Sequence, residues 1–134
     1  MTAGPDTKAS PISVLLVDDE VNYVNVLANR LSRRNIVATK AFSGTEAIQA
    51  LRQRDFDVVV LDLKLEDMDG IEVLKILKKM VPQINVIMLT GHGSEAAAKD
   101  GIKEGAYDYL TKPCELQALI EKIWEVCDAT RQRG

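Results

Sequence analysis

The chain has 134 residues, enough for one domain but not for two good cores. Its apolar fraction of 46% and charged fraction of 28% are ordinary for a globular protein. No apolar run approaches the ~20 residues of a membrane span, and the N-terminus lacks the apolar stretch of a signal peptide, so no membrane partner is expected. A formal net charge of -3 argues against direct nucleic-acid binding, which requires a basic face. Cys114 and Cys127 lack metal-ligand spacing and fall in or near one predicted helix. They read as two reduced thiols of a cytoplasmic protein.

Residues 1–10 hold almost no large apolar side chain and read as a mobile leader. A strand over Ile12 to Val17 follows. Val21, Val24, Leu27, Ala28 and Leu31 then recur at helical spacing. Asn35 ends that helix, and Ile36 to Ala41 is a second strand. Ser43-Gly44-Thr45 supplies a turn with capping hydroxyls before a short helix that turns Ala47, Ile48 and Leu51 inward. Val58 to Leu61 is the third and most apolar strand. After a polar loop, Asp69-Gly70 opens a helix carrying Ile71, Leu74, Leu77 and Val81, which Pro82 stops.

Asn85 to Leu89 is the fourth strand. The helix after it, Ser94 to Glu104, is weak, because it has few large side chains and contains Gly101. Tyr107 to Leu110 is a short fifth strand. The last helix buries Leu116, Leu119, Ile120, Ile123 and Cys127, with Trp124 at the flank of the stripe. The domain is expected over residues 11–129, with 130–134 a tail or the start of a linker. Strand then helix, five times over, predicts an α/β fold, a parallel sheet with helices on both faces.

Four polar signals stand where apolar runs end. They are Asp18-Asp19-Glu20, Asp62, Thr90 and Lys112-Pro113. In open α/β sheets, ligands bind outside the carboxyl ends of the strands. A carboxylate such as Asp62 can attack phosphorus to give an acyl phosphate. Asp18 and Asp19 beside it suit Mg2+, which takes one or two carboxylates plus phosphate oxygens. Lys112 is a flexible point charge for a phosphate oxygen, and the Thr90 hydroxyl can donate to another. Taken singly, each signal has a plainer reading, such as a helix cap, a turn, an ordinary loop or a solvated lysine. Their conjunction in this order is what carries the argument.

With those segments, and with Met68-Asp69-Gly70 and Ala106-Tyr107-Asp108-Tyr109, the chain resembles the receiver domain of two-component response regulators from about Ile12 to Cys127. The resemblance implies a doubly wound, flavodoxin-like (βα)5 sheet of strand order 2-1-3-4-5. It implies Asp62 as phosphoacceptor, with Lys112 and Thr90 completing the catalytic set. Asp19 would be the direct Mg2+ ligand, with Asp18 acting through water and with Asp62 and the Lys64 carbonyl as further ligands. Thr90 and Tyr109 would be the switch pair, and the Lys112-Pro113 peptide would be cis. The implied partner is a sensor histidine kinase or a histidine phosphotransfer protein. The fourth helix, fifth strand and last helix would form the output face and a homodimer face.

The chain departs from the family pattern at Glu66, where many receivers have proline. Glu66-Asp67 is expected to make that loop more acidic and looser. Lys64 and His92, two residues beyond Asp62 and Thr90, are candidates with Glu66 for tuning the lifetime of a phosphorylated state. The modification would be autocatalytic, with no turnover of an external substrate. Three rival readings fit the residues less well. A phosphatase of the haloacid-dehalogenase type would place a second Asp where Lys64 stands. A receiver-like interaction module would lack one of Asp18, Asp19, Asp62 or Lys112. A flavin site would be repelled by the acidic first turn.

Overall fold

The structure, a computed structural model, describes residues 10–91 and 94–133. The expected leader, apart from Ser10, lies outside these residues, as do His92 and Gly134 of the expected tail. Five strands alternate with five helices: β1 (Ile12–Val17), α1 (Val21–Ser32), β2 (Ile36–Ala41), α2 (Gly44–Gln53), β3 (Val58–Asp62), α3 (Gly70–Met80), β4 (Asn85–Thr90), α4 (Glu95–Lys103), β5 (Asp108–Thr111) and α5 (Leu116–Arg133). The sheet is wholly parallel, in the order β2-β1-β3-β4-β5. This is the doubly wound order that the resemblance implied.

Alternation along the strands divides the core into two. Val14, Leu16, Val58, Val60, Ile87 and Leu89 face α1 and α5, which supply Val24, Leu27, Leu31, Leu119, Ile120 and Ile123. Leu15, Val17, Val59, Leu61, Val86 and Met88 face α2 and α3, which supply Ala47, Leu51, Val73, Leu74 and Leu77. The three central strands are therefore covered on both sides and read as unbroken apolar runs. At the sheet edge, β2 is buried only at Ile36 and Ala41, and its Val37 is exposed.

Some details differ from the sequence reading. Val21 faces solvent, because the buried stripe of α1 runs through Val24, Leu27 and Leu31. Ile48 and Ile71 are half-buried at the edges of their stripes, and Val126 joins the buried face of α5. Strands β3, β4 and β5 run on to include Asp62, Thr90 and Thr111. The extra residues are held by the ladder, so the polar groups start from a rigid edge. Helix α5 continues to Arg133, into the segment expected as a tail. Gly101 has a packing reason that composition hid. A Cβ there would run into the Met88 side chain, so the glycine lets α4 lie close on β4.

The acidic loop after β3 is tied down, contrary to its expected looseness. Asp67 accepts hydrogen bonds from the Gly44 N–H (2.9 Å), the Thr45 N–H (3.1 Å) and the Thr45 hydroxyl (3.0 Å). It thus caps the start of α2 from a distant loop, and these bonds, that of Gly44 foremost, hold its carboxyl below the ordinary aspartate value. Glu66 donates its N–H to Asp19 Oδ2 at 3.0 Å. The Asp67 carboxylate and the Glu66 N–H thereby supply, by hydrogen bonding, some of the rigidity a proline would bring.

Candidate functional site

The strand order reverses between β1 and β3, and this is where a doubly wound sheet opens a crevice. The carboxyl end of β1 delivers Asp18, Asp19 and Glu20 there, and the end of β3 delivers Asp62. Backbone bonds continue the ladder past the strands. The Asp18 N–H donates to the Ala41 carbonyl (3.1 Å), that of Leu63 to Leu89 (3.1 Å), and that of Lys112 to Thr90 (2.6 Å). The site is thus built on the sheet rather than on loose loops.

Lys112 is its centre. Its Nζ lies 2.9 Å from Glu20 Oε1, 3.0 Å from Asp18 Oδ2 and 3.6 Å from Asp62 Oδ2. One oxygen from each of these three acids lies within 4.8 Å of the other two. Asp18 is wholly buried, and its Oδ1 accepts the Glu20 N–H at 3.0 Å. Asp62 is 5% exposed, and its Oδ1 accepts the Lys64 N–H at 3.2 Å. A shallow open cavity between Asp19, Glu20, Lys64, Glu66, Gly91 and Lys112 leads to the Asp62 carboxylate.

The electrostatics follow from this crowding. Burial pushes the Asp62 carboxyl up from 3.8 to about 6. The neighbouring Asp18 charge adds to the rise, while the Lys64 N–H and the Lys112 ammonium oppose it. Burial works against the Lys112 ammonium too. The hydrogen bonds to Glu20 and Asp18, with the Asp62 charge, outweigh it and raise Lys112 above the ordinary lysine value. The Tyr23 ring covers the ammonium at 4.8 Å from its centroid. Burial first, and then Cys114, push the Tyr23 phenol up to about 12.

The expected site residues are not all together. Asp18, Asp62 and Lys112 converge. Asp19 lines the same cavity, with its Oδ2 accepting the Glu66 N–H, and Glu20 joins the convergent carboxylates. Thr90 ends β4 and is 2% exposed. Tyr109 is half-buried on β5, beside Met88 in the sheet register. Lys64 and Glu66 are exposed at the rim, and His92 lies outside the described residues. The Lys112-Pro113 peptide is cis. Sequence reasoning quoted Glu20 within its acidic motif and gave it no role, and it overlooked Tyr23. The signal for Tyr23 was its position three residues on, over the same side of the helix.

A parallel sheet of this order, with acids at the switch point and a lysine across from them, defines the doubly wound receiver class. The chain belongs to the response regulator receiver domain family, whose model matches residues 14–124. It is 36% identical over 124 residues to an NtrX-like response regulator of Rickettsia conorii, covering 91% of this chain and 26% of that protein. It is 34% identical over 123 residues to the transcriptional regulatory protein ZraR of Salmonella typhimurium, covering 92% of this chain and 28% of the other. The chain thus spans about a quarter of the length of these relatives. Among solved structures it resembles a CheY-like receiver domain protein from Methanospirillum hungatei, with TM-score 0.89, 29% identity and coverage of 93% and 100% of the two chains. It also resembles the receiver domain of NtrX from Brucella abortus, with TM-score 0.82, 33% identity and coverage of 86% and 98%. Among the described residues, no helix is long and apolar enough to cross a membrane.

Proposed function

We propose that this receiver domain accepts a phosphoryl group on Asp62 from a histidine kinase or a histidine phosphotransfer protein. The observation that carries the reading is Asp62 at the floor of an open cavity, with an ammonium 3.6 Å from its Oδ2. An Asp62 oxygen would attack phosphorus, forming the acyl phosphate as the bond from phosphorus to the donor's imidazole nitrogen breaks. Lys112 would then meet a phosphoryl oxygen, and the Thr90 hydroxyl another. Such transfer depends on positioning and charge neutralisation more than on covalent work.

The donors at the site are hard oxygens, which suit Mg2+. Asp18, Asp19 and Asp62 would hold it, with the Lys64 carbonyl as a further ligand. When bound, the ion would neutralise negative charge on the phosphoryl oxygens. The modification would be autocatalytic and would not turn over an external metabolite. The new charge would bias Thr90 and Tyr109, and through them the face formed by α4, β5 and α5. That face carries exposed Ile102, Tyr107 and Trp124, suited to an output partner or to a second copy in a homodimer.

The test is incubation with Mg2+ and acetyl phosphate, followed by intact mass. One added phosphoryl group is expected, absent without Mg2+ and absent in Asp62→Asn. No adduct, together with no binding of beryllofluoride, would instead make the domain an interaction module.

Lys64 and Glu66 line the cavity, where an attacking water would enter. Truncation of Lys64 to alanine is expected to change the dephosphorylation rate by about two- to fivefold, the worth of one exposed charge beside a phosphoryl group. Decay of the adduct, followed by mass, checks this. An unaltered rate would remove Lys64 from the tuning set.

A further inference from the structure

We propose that Glu20 and Tyr23, from the start of α1, are positioning residues that draw the Lys112 ammonium toward the Glu20 side of its ion pair with Asp62 and so restrain phosphorylation. This rests on the reading of Asp62 as phosphoacceptor.

Glu20 occupies the N-cap of α1, yet its side chain makes no cap hydrogen bond. Its carboxylate is turned to Lys112 instead, as the nearest of the three acids at 2.9 Å. Asp18 and Asp62 are buried and fixed by the sheet, whereas the Glu20 side chain is 63% exposed. Of the three contacts, that to Glu20 is therefore the one most easily exchanged. Tyr23 lies three residues along the helix, over the same ammonium, and its ring attracts a cation. Lys112 stands farther from Asp62 Oδ2 (3.6 Å) than from Asp18 and Glu20, and on this proposal closing on a phosphoryl oxygen loosens its hold on Glu20 and Tyr23.

The restraint has a direction. Removing either residue lowers the cost of bringing Lys112 to the incoming group. Glu20→Gln and Tyr23→Leu should each raise the rate of phosphorylation by acetyl phosphate by about two- to fivefold, the range of one partly exposed ion pair or cation–ring contact. Tyr23→Phe keeps the ring face and should match the unaltered protein. Because both residues act on one ammonium, Glu20→Gln combined with Tyr23→Leu should give less than the product of the single effects.

The second readout needs no phosphorylation. In metal-free protein the Lys112 methylene protons should be shifted upfield by the Tyr23 ring. The shift should persist in Tyr23→Phe and vanish in Tyr23→Leu. A Glu20→Gln rate equal to or below that of the unaltered protein overturns the proposal. So does a Tyr23→Phe variant that behaves like Tyr23→Leu. If the unaltered protein takes no phosphoryl group, the reading of Asp62 falls and the rate control falls with it. The ring shift separates that failure from a misplaced Lys112.

Discussion

Gly70→Ala is expected to remove about 3–5 kcal/mol of stability, at or beyond the top of the usual range for overpacking. A Cβ at Gly70 would lie 2.6 Å from the Leu63 carbonyl oxygen and 2.8 Å from its carbonyl carbon, and would also strike the Leu63 Cα. These neighbours are main chain, so no side chain can swing aside. The close approach is held by the Gly70 N–H, which donates to the Leu63 carbonyl at 3.2 Å, and by a bridge between Lys64 and Asp69. Together they fold residues 64–69 into a short closed loop at the end of β3. Opening that loop would also disturb the Lys64 N–H bond to Asp62, so slower phosphorylation should accompany the lost stability. Urea unfolding measures the effect, and a loss under about 1 kcal/mol would show that the loop yields instead. Gly91→Ala is the control, since a Cβ there meets nothing within 4 Å.

Gly70 also illustrates what could be read in advance. The doublet Asp69-Gly70 signalled a helix start, and the structure places Asp69 at the N-cap, accepting the Ile71 N–H at 2.9 Å. That Gly70 touches Leu63, just past the end of β3 and seven positions earlier, is a tertiary fact with no local signature. The strands were legible because each central one is apolar on both faces. The polar residues at their ends were legible because a parallel sheet brings those ends to one edge. What remained hidden was how the side chains pair once there. Asp19 turns to a loop amide, Glu20 turns to Lys112, and Asp67 caps a helix from another loop. Each depends on a side-chain direction that the spacing of residues does not encode. Gly101 is the opposite case. It looked like a local weakness and serves a close contact with Met88.

Asp62→Asn is expected to stabilise the metal-free domain near neutral pH while abolishing its phosphorylation. The carboxyl titrates at about 6 in the fold against 3.8 ordinarily, so the folded state binds that proton more tightly than the unfolded state does. A group raised in this way contributes full stability below its unfolded value, and the contribution is lost as pH rises through the folded value. The loss therefore falls between about pH 4 and pH 6, and at about 1.4 kcal/mol per pH unit it amounts to about 3 kcal/mol. Asparagine carries no charge and avoids that cost, and its oxygen can still accept the Lys64 N–H. Against this, Lys112 loses one of its three acidic neighbours. The net gain should be about 1–2 kcal/mol at about pH 7, or roughly 3–8 °C in Tm. The gain should shrink toward zero as the pH is lowered to about 4, where Asp62 of the unaltered protein is protonated in the fold. Mg2+ should raise the Tm of the unaltered protein more than that of Asp62→Asn, because a cation relieves the same crowding. Melting curves of both proteins across this pH range, with and without Mg2+, decide the matter. An Asn variant equal to or less stable than the unaltered protein near neutrality would mean that Lys112 already balances the charge of Asp62, with no strain left for a phosphoryl group or a metal to release.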